Sequence, residues 1–378
     1  YPLIDAAAAA GCEYFCIDAG WYADGPWWDG VGEWVTSKKR FPNGLRPVTD
    51  YIRSKGMIPG VWLELEVMGI KCPLLETRAD DSWFFTRHGE RVYDRSRYQL
   101  DYRNPAVREF ADEVIDRLVD DYGIGYIKMD YNIEPGIGTE RDADSFGEGL
   151  LGHERAYIDW LYAVFKRHPS LIIENCSSGG MRIDYKMLSV YSIQSTSDQD
   201  DYRRYCTIAA NSPTALTPEQ SAIWSYPKTD GSREEVVFNM VNALLLRIHQ
   251  SGHLAYINEE SSALVKEAIK LYREIRKDIG SSTPFWPLGM SRFDDDFVSL
   301  GLRCEGGSAY LAVWRREGAE DSVTLPVGFL KGKNVKAECI YPSFNENAYS
   351  FNKSAGTLSV CLKDRLTARL YKLTPTDD

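Results

Sequence analysis

The segment IGYIKMDYN, residues 124–132, shows a pattern that recurs along much of the chain. An apolar run leads into Asp130, and Lys128 precedes that carboxylate by two residues. Because side chains alternate along a β-strand, Lys128 and Asp130 leave this strand on the same face. The segment therefore predicts a buried strand that presents a carboxylate and an ammonium group together near its carboxyl end.

Other runs between residues 1 and 280 share this form, since each is rich in apolar residues and ends in polar ones. They are EYFCIDAGW (13–21), GMIPGVWLELE (56–66), YQLDYR (98–103), SLIIENCSSGG (170–180) and YSIQSTSDQDD (191–201), with weaker candidates SPTALTP (212–218) and SGHLAYIN (251–258). Amphipathic helical segments lie between them, such as residues 104–122, where Asn104 is placed to cap a helix that begins at Pro105.

Up to eight strand–helix units predict an α/β fold, a (β/α)8 TIM barrel over residues 1–285. Functional side chains of such a barrel lie on the loops that follow the strands. An open, doubly wound sheet is the other α/β arrangement, but no GxGxxG motif follows a strand. Residues 286–378 instead alternate with period two between Gly, Asn and Asp turns, which predicts a small antiparallel all-β C-terminal domain, a β-sandwich. We interpret it as a structural cap.

The composition restricts the partners. A net charge of -11 argues against nucleic acid, and the absence of a long apolar run argues against a membrane span. The 8 Cys form no CxxC pair and are interpreted as reduced, which favours a cytoplasmic location. The 5 His form no HExxH motif, so neither a metal nor a cofactor is expected. Since Tyr1 begins inside a helical pattern, we expect a longer natural protein, which leaves secretion open.

Two strand-end carboxylates are candidates for catalysis. Asp130 fits a nucleophile, because Lys128 would hold it ionised, although a strand-end Asp also often caps a helix. Asp198 fits a general acid, because Asp200 and Asp201 crowd it and like charges raise a carboxyl pKa. Alternatively, Arg203 and Arg204 form ion pairs with these acids, and the segment is a solvated loop without a catalytic role. Two carboxylates facing one another across a barrel opening suit glycoside hydrolysis.

Five motifs in the same order carry a resemblance to a known family. They are IDAGWY followed by GEWVTSKKRFPNGL, then GVWLELE, YIKMDYN, ENCSSGG and SDQDD. Together they resemble glycoside hydrolase family 36, which contains α-galactosidases, α-N-acetylgalactosaminidases and galactosyl transferases of the raffinose-synthase type. The resemblance covers roughly residues 1–280. It implies a (β/α)8 barrel and a retaining double displacement that needs no metal or cofactor.

The resemblance also implies roles for individual residues. Asp130 corresponds to the nucleophile and Asp198 to the acid/base. The residues implied to bind the sugar are Asp18, Trp62, Arg95 (with Arg97 as a stand-in), Lys128, Cys176 and Gly179. The sequence departs from the family pattern at Ala19, where a second Asp is usual, at Met129 in place of Trp, and at the Glu64-Leu65-Glu66 segment, which lacks the usual Pro. The family's N-terminal β-sandwich is absent from this sequence.

We therefore expect a retaining exo-glycosidase that removes terminal α-linked galactose from oligosaccharides or glycoconjugates. Within this class, an α-N-acetylgalactosaminidase and a galactosyl transferase remain alternatives, and outside it an inactive sugar-binding barrel does. The Ala19 departure leaves the exact sugar open. Because members of the family commonly form tetramers, a homo-oligomer is expected.

Overall fold

The computed structural model describes residues 1–376. Its α-helices are α1 (Pro2–Ala10), α2 (Arg46–Ser54), α3 (Leu74–Thr77), α4 (Pro105–Asp120), α5 (Phe146–Arg167), α6 (Tyr185–Leu188), α7 (Tyr202–Asn211), α8 (Arg233–Leu244) and α9 (Glu259–Ile279). The strands up to residue 250 are β1 (Tyr14–Ile17), β2 (Ile58–Leu63), β3 (Val67–Gly69), β4 (Thr86–Arg87), β5 (Glu90–Arg91), β6 (Tyr93–Asp94), β7 (Arg97–Gln99), β8 (Tyr126–Met129), β9 (Ile172–Asn175), β10 (Ile193–Ser195), β11 (Ser221–Ser225) and β12 (Arg247–Gln250).

The remaining strands lie beyond residue 280. They are β13 (Thr283–Phe285), β14 (Phe297–Arg303), β15 (Ala309–Arg315), β16 (Ser322–Pro326), β17 (Asn334–Tyr341), β18 (Tyr349–Asn352), β19 (Thr357–Cys361) and β20 (Thr367–Thr376). The chain divides into two compact units, one formed mainly by Glu13–Ile193 and the other by Pro2–Cys12 together with the residues from Gln194 onward.

In the first unit, β1, β2, β8 and β9 pair in this order and run parallel. Helix α4 packs beside them, and Asn104 caps it by accepting the Ala106 N–H at 2.9 Å, with Pro105 at the first helical position. This confirms the predicted helix start. The register places Trp62 beside Lys128 and Lys128 beside Glu174, so these three side chains form a row across the sheet.

The prediction of a parallel strand at YQLDYR was wrong. Residues 97–99 form β7, which pairs antiparallel with β3 and β6 in a separate small sheet. Arg95 and Ser96 connect β6 to β7 and both have positive φ (47° and 64°), as a two-residue type I′ hairpin turn requires. A short run with no Gly at the turn gave no warning of this hairpin.

In the second unit, β10, β11 and β12 also run parallel. The two weak strand candidates were misplaced. The prediction 212–218 falls on a 3-10 turn, Ser212–Thr214, with the strand following at Ser221–Ser225, because Pro213 lacks the N–H that a strand ladder needs. The prediction 251–258 lies after β12, outside any strand.

The second unit also contains two antiparallel sheets. Their strand orders are β13-β14-β15-β20-β17 and β16-β19-β18. Apolar residues from both sheets, including Leu311, Leu358 and Leu373, belong to one buried cluster. The period-two alternation predicted for residues 286–378 thus corresponds to antiparallel strands in the part that the structure describes, which ends at residue 376. None of the helices within residues 1–376 combines the length and apolar content of a membrane-spanning segment.

Candidate active site

Asp130 lies directly after β8, and its carboxylate is enclosed by hydrogen-bond donors. The Asp130 N–H donates to the Leu63 carbonyl at 2.7 Å, which extends the strand pairing by one residue. Trp62 Nε1 donates to Oδ2 at 3.0 Å, and the backbone N–H groups of Tyr131 and Ser178 donate to Oδ1 at 2.8 and 3.3 Å. The residue is 8% exposed. Its side chain is therefore held in one orientation while remaining within reach of a ligand.

Lys128 accompanies Asp130 on the same face of β8, as predicted from their spacing. Its Nζ lies 3.0 Å from Asp18 Oδ2. Burial by itself lowers the pKa of this ammonium group, but the negative charges around it, with Asp18 first, raise the pKa above its ordinary value. Lys128 is thus a buried ammonium group that stays protonated at physiological pH.

Asp18 follows β1, and its side chain is 59% exposed. One oxygen contacts Lys128 Nζ, and the other accepts the Ala19 N–H at 2.7 Å. An exposed carboxylate held by a buried ammonium is well suited to accept hydrogen bonds from a polyhydroxylated ligand.

Trp62 belongs to a cluster of aromatic rings beside Asp130. It is fully buried, Tyr22 stacks against it with ring centroids 6.0 Å apart, and Trp27 packs against it in a T-shaped arrangement with ring centroids 5.3 Å apart. Trp21 Nε1 donates to the Trp62 carbonyl at 2.9 Å. These contacts fix the indole so that its N–H stays directed at Asp130.

Cys176 and Gly179 belong to the loop that follows β9. The Cys176 N–H donates to the Met129 carbonyl at 2.9 Å, and burial, reinforced by the charge of Asp130, raises the pKa of the thiol. Gly179 has a φ of 83°, and its carbonyl accepts the Ser177 N–H at 3.1 Å. The resulting turn directs the Ser178 N–H towards Asp130. Cys176 is therefore a buried, protonated thiol, and its role as a wall of the sugar site stays a prediction.

Arg95 is placed differently from Lys128 and Trp62. Its side chain is 54% exposed, and its Nη1 donates to the Asn132 carbonyl at 3.2 Å. With Trp27, Trp28, Ser96, Arg97, Asn132 and Ser178 it lines a pocket of about 400 Å³. Arg97, the stand-in, is buried under the Trp27 ring with its Nε 3.0 Å from Glu64 Oε2. Arg95 is thus an exposed residue of the pocket wall, whereas Arg97 is buried in an ion pair with Glu64.

The two glutamates that end the GVWLELE run have opposite electrostatic environments. Burial raises the pKa of Glu64 to about 8, and the charge of Asp130 adds to this rise while Arg97 opposes it. Glu66 is equally buried, but Arg182 and His153 outweigh burial and lower its pKa to about 2. Glu66 is therefore an ionised anchor, whereas Glu64 gains a proton near neutrality.

Asp198 belongs to the second unit, in the loop between β10 and α7. The side chain is exposed, and the loop is fastened by Tyr205, whose hydroxyl donates to the Ser197 carbonyl at 3.1 Å. The predicted crowding by two acids takes a different form. Asp201 caps α7 and pairs with Arg203 at 2.9 Å, which lowers the pKa of Asp201, and Asp200 lies 4.0 Å from Lys228. Arg203 thus pairs with an acid of this loop, as the alternative interpretation proposed.

Within the described residues, no group of three or more His, Cys, Asp or Glu side chains is placed to hold a metal ion.

Several residues that shape the site were not predicted from the sequence. Ser178 and Asn132 bind one another, with the Ser178 hydroxyl donating to Asn132 Oδ1 at 2.8 Å, and Ser178 also donates to Asp130. Glu174 is the first residue of the ENCSSGG motif, and Arg182 follows the motif by two residues. Neither was predicted to contribute to the site, because the motif was interpreted through its Gly residues.

Known proteins resemble this chain along most of its length. The sequence profile of the melibiase family matches residues 1–280. The α-galactosidase Mel36A of Lactobacillus acidophilus is 29% identical over 293 residues, which are 73% of this chain and 38% of that protein. An α-galactosidase of Escherichia coli is 29% identical over 223 residues, 57% of this chain and 30% of that protein. The chain thus spans well under half the length of these relatives.

Solved structures show the same fold. The family 36 α-galactosidase AgaA of Geobacillus stearothermophilus superposes with a TM-score of 0.82 at 18% identity, covering 99% of this chain and 53% of the other. A family 27 β-L-arabinopyranosidase from the same species gives a TM-score of 0.69 at 15% identity, covering 100% and 93%. The profile match over residues 1–280 establishes that the chain belongs to the melibiase family, and the relatives that it resembles are α-galactosidases, of which AgaA belongs to glycoside hydrolase family 36.

Proposed function

We propose that this chain carries the catalytic machinery of a retaining exo-α-galactosidase. The observation that carries the proposal is the Asp130 carboxylate, which is nearly buried, held by three N–H donors and accompanied on its strand by the Lys128 ammonium. A carboxylate nucleophile needs such a fixed orientation to attack an anomeric carbon.

The proposed reaction has two steps. Asp130 attacks C1 of the galactose, the bond from C1 to the leaving oxygen breaks, and Asp198 donates a proton to that oxygen. In the second step Asp198 takes a proton from water, the resulting hydroxide attacks C1, and the bond to Asp130 breaks. Asp18 and Lys128 bind sugar hydroxyls in both steps, while Trp62 and the wall formed by Cys176 and Gly179 enclose the ring.

The substrate class follows from the relatives. Substituted variants of AgaA of Geobacillus stearothermophilus have been solved with raffinose and with stachyose bound, so α-galactosyl oligosaccharides are the proposed substrates here. The solved relatives also support the proposal that the parallel strands complete a (β/α)8 barrel and that the antiparallel sheets form a C-terminal domain. A homo-oligomer remains part of the proposal.

The proposal is tested by comparing hydrolysis of aryl α-galactoside, aryl α-N-acetylgalactosaminide and aryl β-L-arabinopyranoside. We expect the first to be hydrolysed fastest, and Asp130→Ala to abolish turnover while azide restores it with an inverted azido sugar as product. Preference for the N-acetylated sugar would transfer the assignment to an α-N-acetylgalactosaminidase. Failure of all three substrates would refute the proposal.

The role of Asp198 has a matched control in the same loop. Asp198→Ala should slow substrates with poor leaving groups far more than activated aryl substrates, because only the former need a proton. Asp200→Ala removes an exposed carboxylate two residues away and should affect both substrate types alike. If the two variants behave identically, Asp198 is not the acid.

A further inference from the structure

Glu174 occupies a buried position directly beside Lys128. The two residues are register partners on the neighbouring parallel strands β8 and β9, so their side chains lie on the same face of the sheet. Glu174 is 1% exposed, and the Tyr126 hydroxyl donates a hydrogen bond to its Oε2. The carboxylate is therefore buried and held by Tyr126 on the face of the sheet that carries Lys128, and the two charges attract one another.

Three carboxylates interact with Lys128, those of Asp18, Asp130 and Glu174, and they differ in whether they would also interact with a bound sugar. Asp18 is exposed, and Asp130 is the proposed nucleophile, so both are engaged when a sugar binds. When Asp130 forms its ester bond to C1, its negative charge is lost, since the electron pair that forms the bond comes from the carboxylate and the departing oxygen leaves with the proton from Asp198. Glu174 forms no bond to the sugar, so this step does not remove the charge of its ionised form.

We propose that Glu174 is a positioning residue that keeps the Lys128 ammonium charged and in place while Asp130 carries the sugar. This inference rests on the proposed function. A buried ammonium without a counter-charge is costly, so the glycosyl-enzyme would be destabilised if Glu174 were neutral. Glu174 acts through Lys128 and does not contact the reacting atoms.

The proposal has a consequence for pH dependence. Burial raises the pKa of Glu174 to about 7, although Lys128 and the Tyr126 hydroxyl oppose that rise. The titratable groups that interact electrostatically with Glu174 from the surrounding strands are Lys128, Tyr126 and Asp130 on and after β8, Asp18 and Cys16 on and after β1, and Cys176 after β9. As pH rises through this value, Glu174 ionises, and its negative charge then stabilises the Lys128 ammonium.

The first test is the pH profile of kcat/KM for an aryl α-galactoside. The wild type should gain activity as pH rises through about 7, and Glu174→Gln should lose that rise and stay about ten-fold lower above it. Tyr126→Phe keeps the charge but removes the hydrogen bond that lowers the pKa, so its rise should move to higher pH. Glu154→Gln removes another carboxylate whose pKa burial raises, and should leave the profile unchanged.

A second measurement does not depend on activity. In protein with ¹³C-labelled lysine, NMR titration of Lys128, assigned through Lys128→Arg, should give a pKa at least about one unit lower in Asp18→Asn/Glu174→Gln than in Asp18→Asn alone. Equal values in those two variants, or an unchanged pH profile in Glu174→Gln, would overturn the inference. A wild-type protein that hydrolyses no α-galactoside would instead refute the proposed function, and the NMR result would still decide the role of Glu174.

Discussion

At the residue scale, the indole N–H of Trp62 is the side-chain hydrogen-bond donor that orients the Asp130 carboxylate. Trp62 is buried on the strand next to β8, and its Nε1 is the side-chain donor to Asp130 Oδ2. Because the other two donors are backbone N–H groups, substitution can remove only this one without changing the chain path.

Trp62→Phe should therefore lower kcat/KM by about 10- to 100-fold, since a hydrogen bond to a charged group contributes about 1.5–3 kcal/mol. The comparison is Trp21→Phe, which removes an equally buried indole N–H that donates to the Trp62 carbonyl. If both variants lose the same activity, the effect comes from packing rather than from the bond to Asp130.

Glu64 provides a pH test at the same scale. Its folded pKa, about 8, is raised above its ordinary value, so the folded protein holds a proton that the unfolded chain releases above about pH 4.5. Stability should consequently fall as pH rises from about 4.5 to 8. In Glu64→Gln this contribution is absent, so the melting temperature of the variant relative to the wild type should increase from pH 5 to pH 8. A constant difference would contradict the raised pKa.

At the scale of elements, the loop after β9 is bonded to the segment between β2 and β3. Arg182 donates two hydrogen bonds to Glu66, and its guanidinium lies 4.5 Å from the centre of the Tyr131 ring. The Arg182 carbonyl also accepts a hydrogen bond from Asn175 Nδ2 at 3.0 Å. The loop that supplies the Ser178 N–H is thus anchored on a buried ion pair.

Arg182→Met should destabilise the protein by about 3–5 kcal/mol, because it leaves Glu66 buried without its main counter-charge. The double variant Arg182→Met/Glu66→Gln should recover part of that loss, as measured by denaturant unfolding. The lowered pKa of Glu66, about 2, means that the stabilisation is present above about pH 4.5 and is lost as pH falls towards 2. A double variant less stable than the single one would show that the ion pair is not the cause.

Some of the strands could be predicted from the sequence, and others could not. Runs such as IGYIKMDYN begin with several apolar residues and end in polar ones, and β1, β2, β8 and β9 lie within the predicted segments. YQLDYR has the same residue types, but it belongs to a hairpin whose turn residues, Arg95 and Ser96, are not typical of positive φ. Likewise, spacing placed Lys128 beside Asp130, whereas Ser178 and Glu174 reach the site through register and loop geometry, which no local pattern encodes.

At the scale of the whole molecule, the second unit joins distant parts of the chain. Helix α1 packs on α9, and Arg273 Nη2 donates to the Gly11 carbonyl at 2.5 Å. Ala10 belongs to the same buried cluster as Val265 and Ile269 of α9. The first helix is therefore a structural part of a unit formed mostly by residues after 193.

Ala10→Asp should lower the melting temperature by about 5–10 °C, because it buries an unpaired carboxylate against α9. Ala9→Asp places the same charge one residue earlier, on the exposed side of α1, and should have little effect. Scanning calorimetry distinguishes the two variants. Similar losses in both would indicate that helix propensity, rather than the α1–α9 contact, is responsible.

The α1–α9 contact also affects how the protein is made. A ribosome adds roughly 5–20 residues per second, so on the order of tens of seconds pass between the synthesis of α1 and that of α9. During that interval Ile4, Ala7 and Ala10, all buried in the finished fold, have no partner helix to cover them. The nascent chain therefore exposes a short apolar segment until α9 has been translated, and the α1–α9 contact forms only late in synthesis.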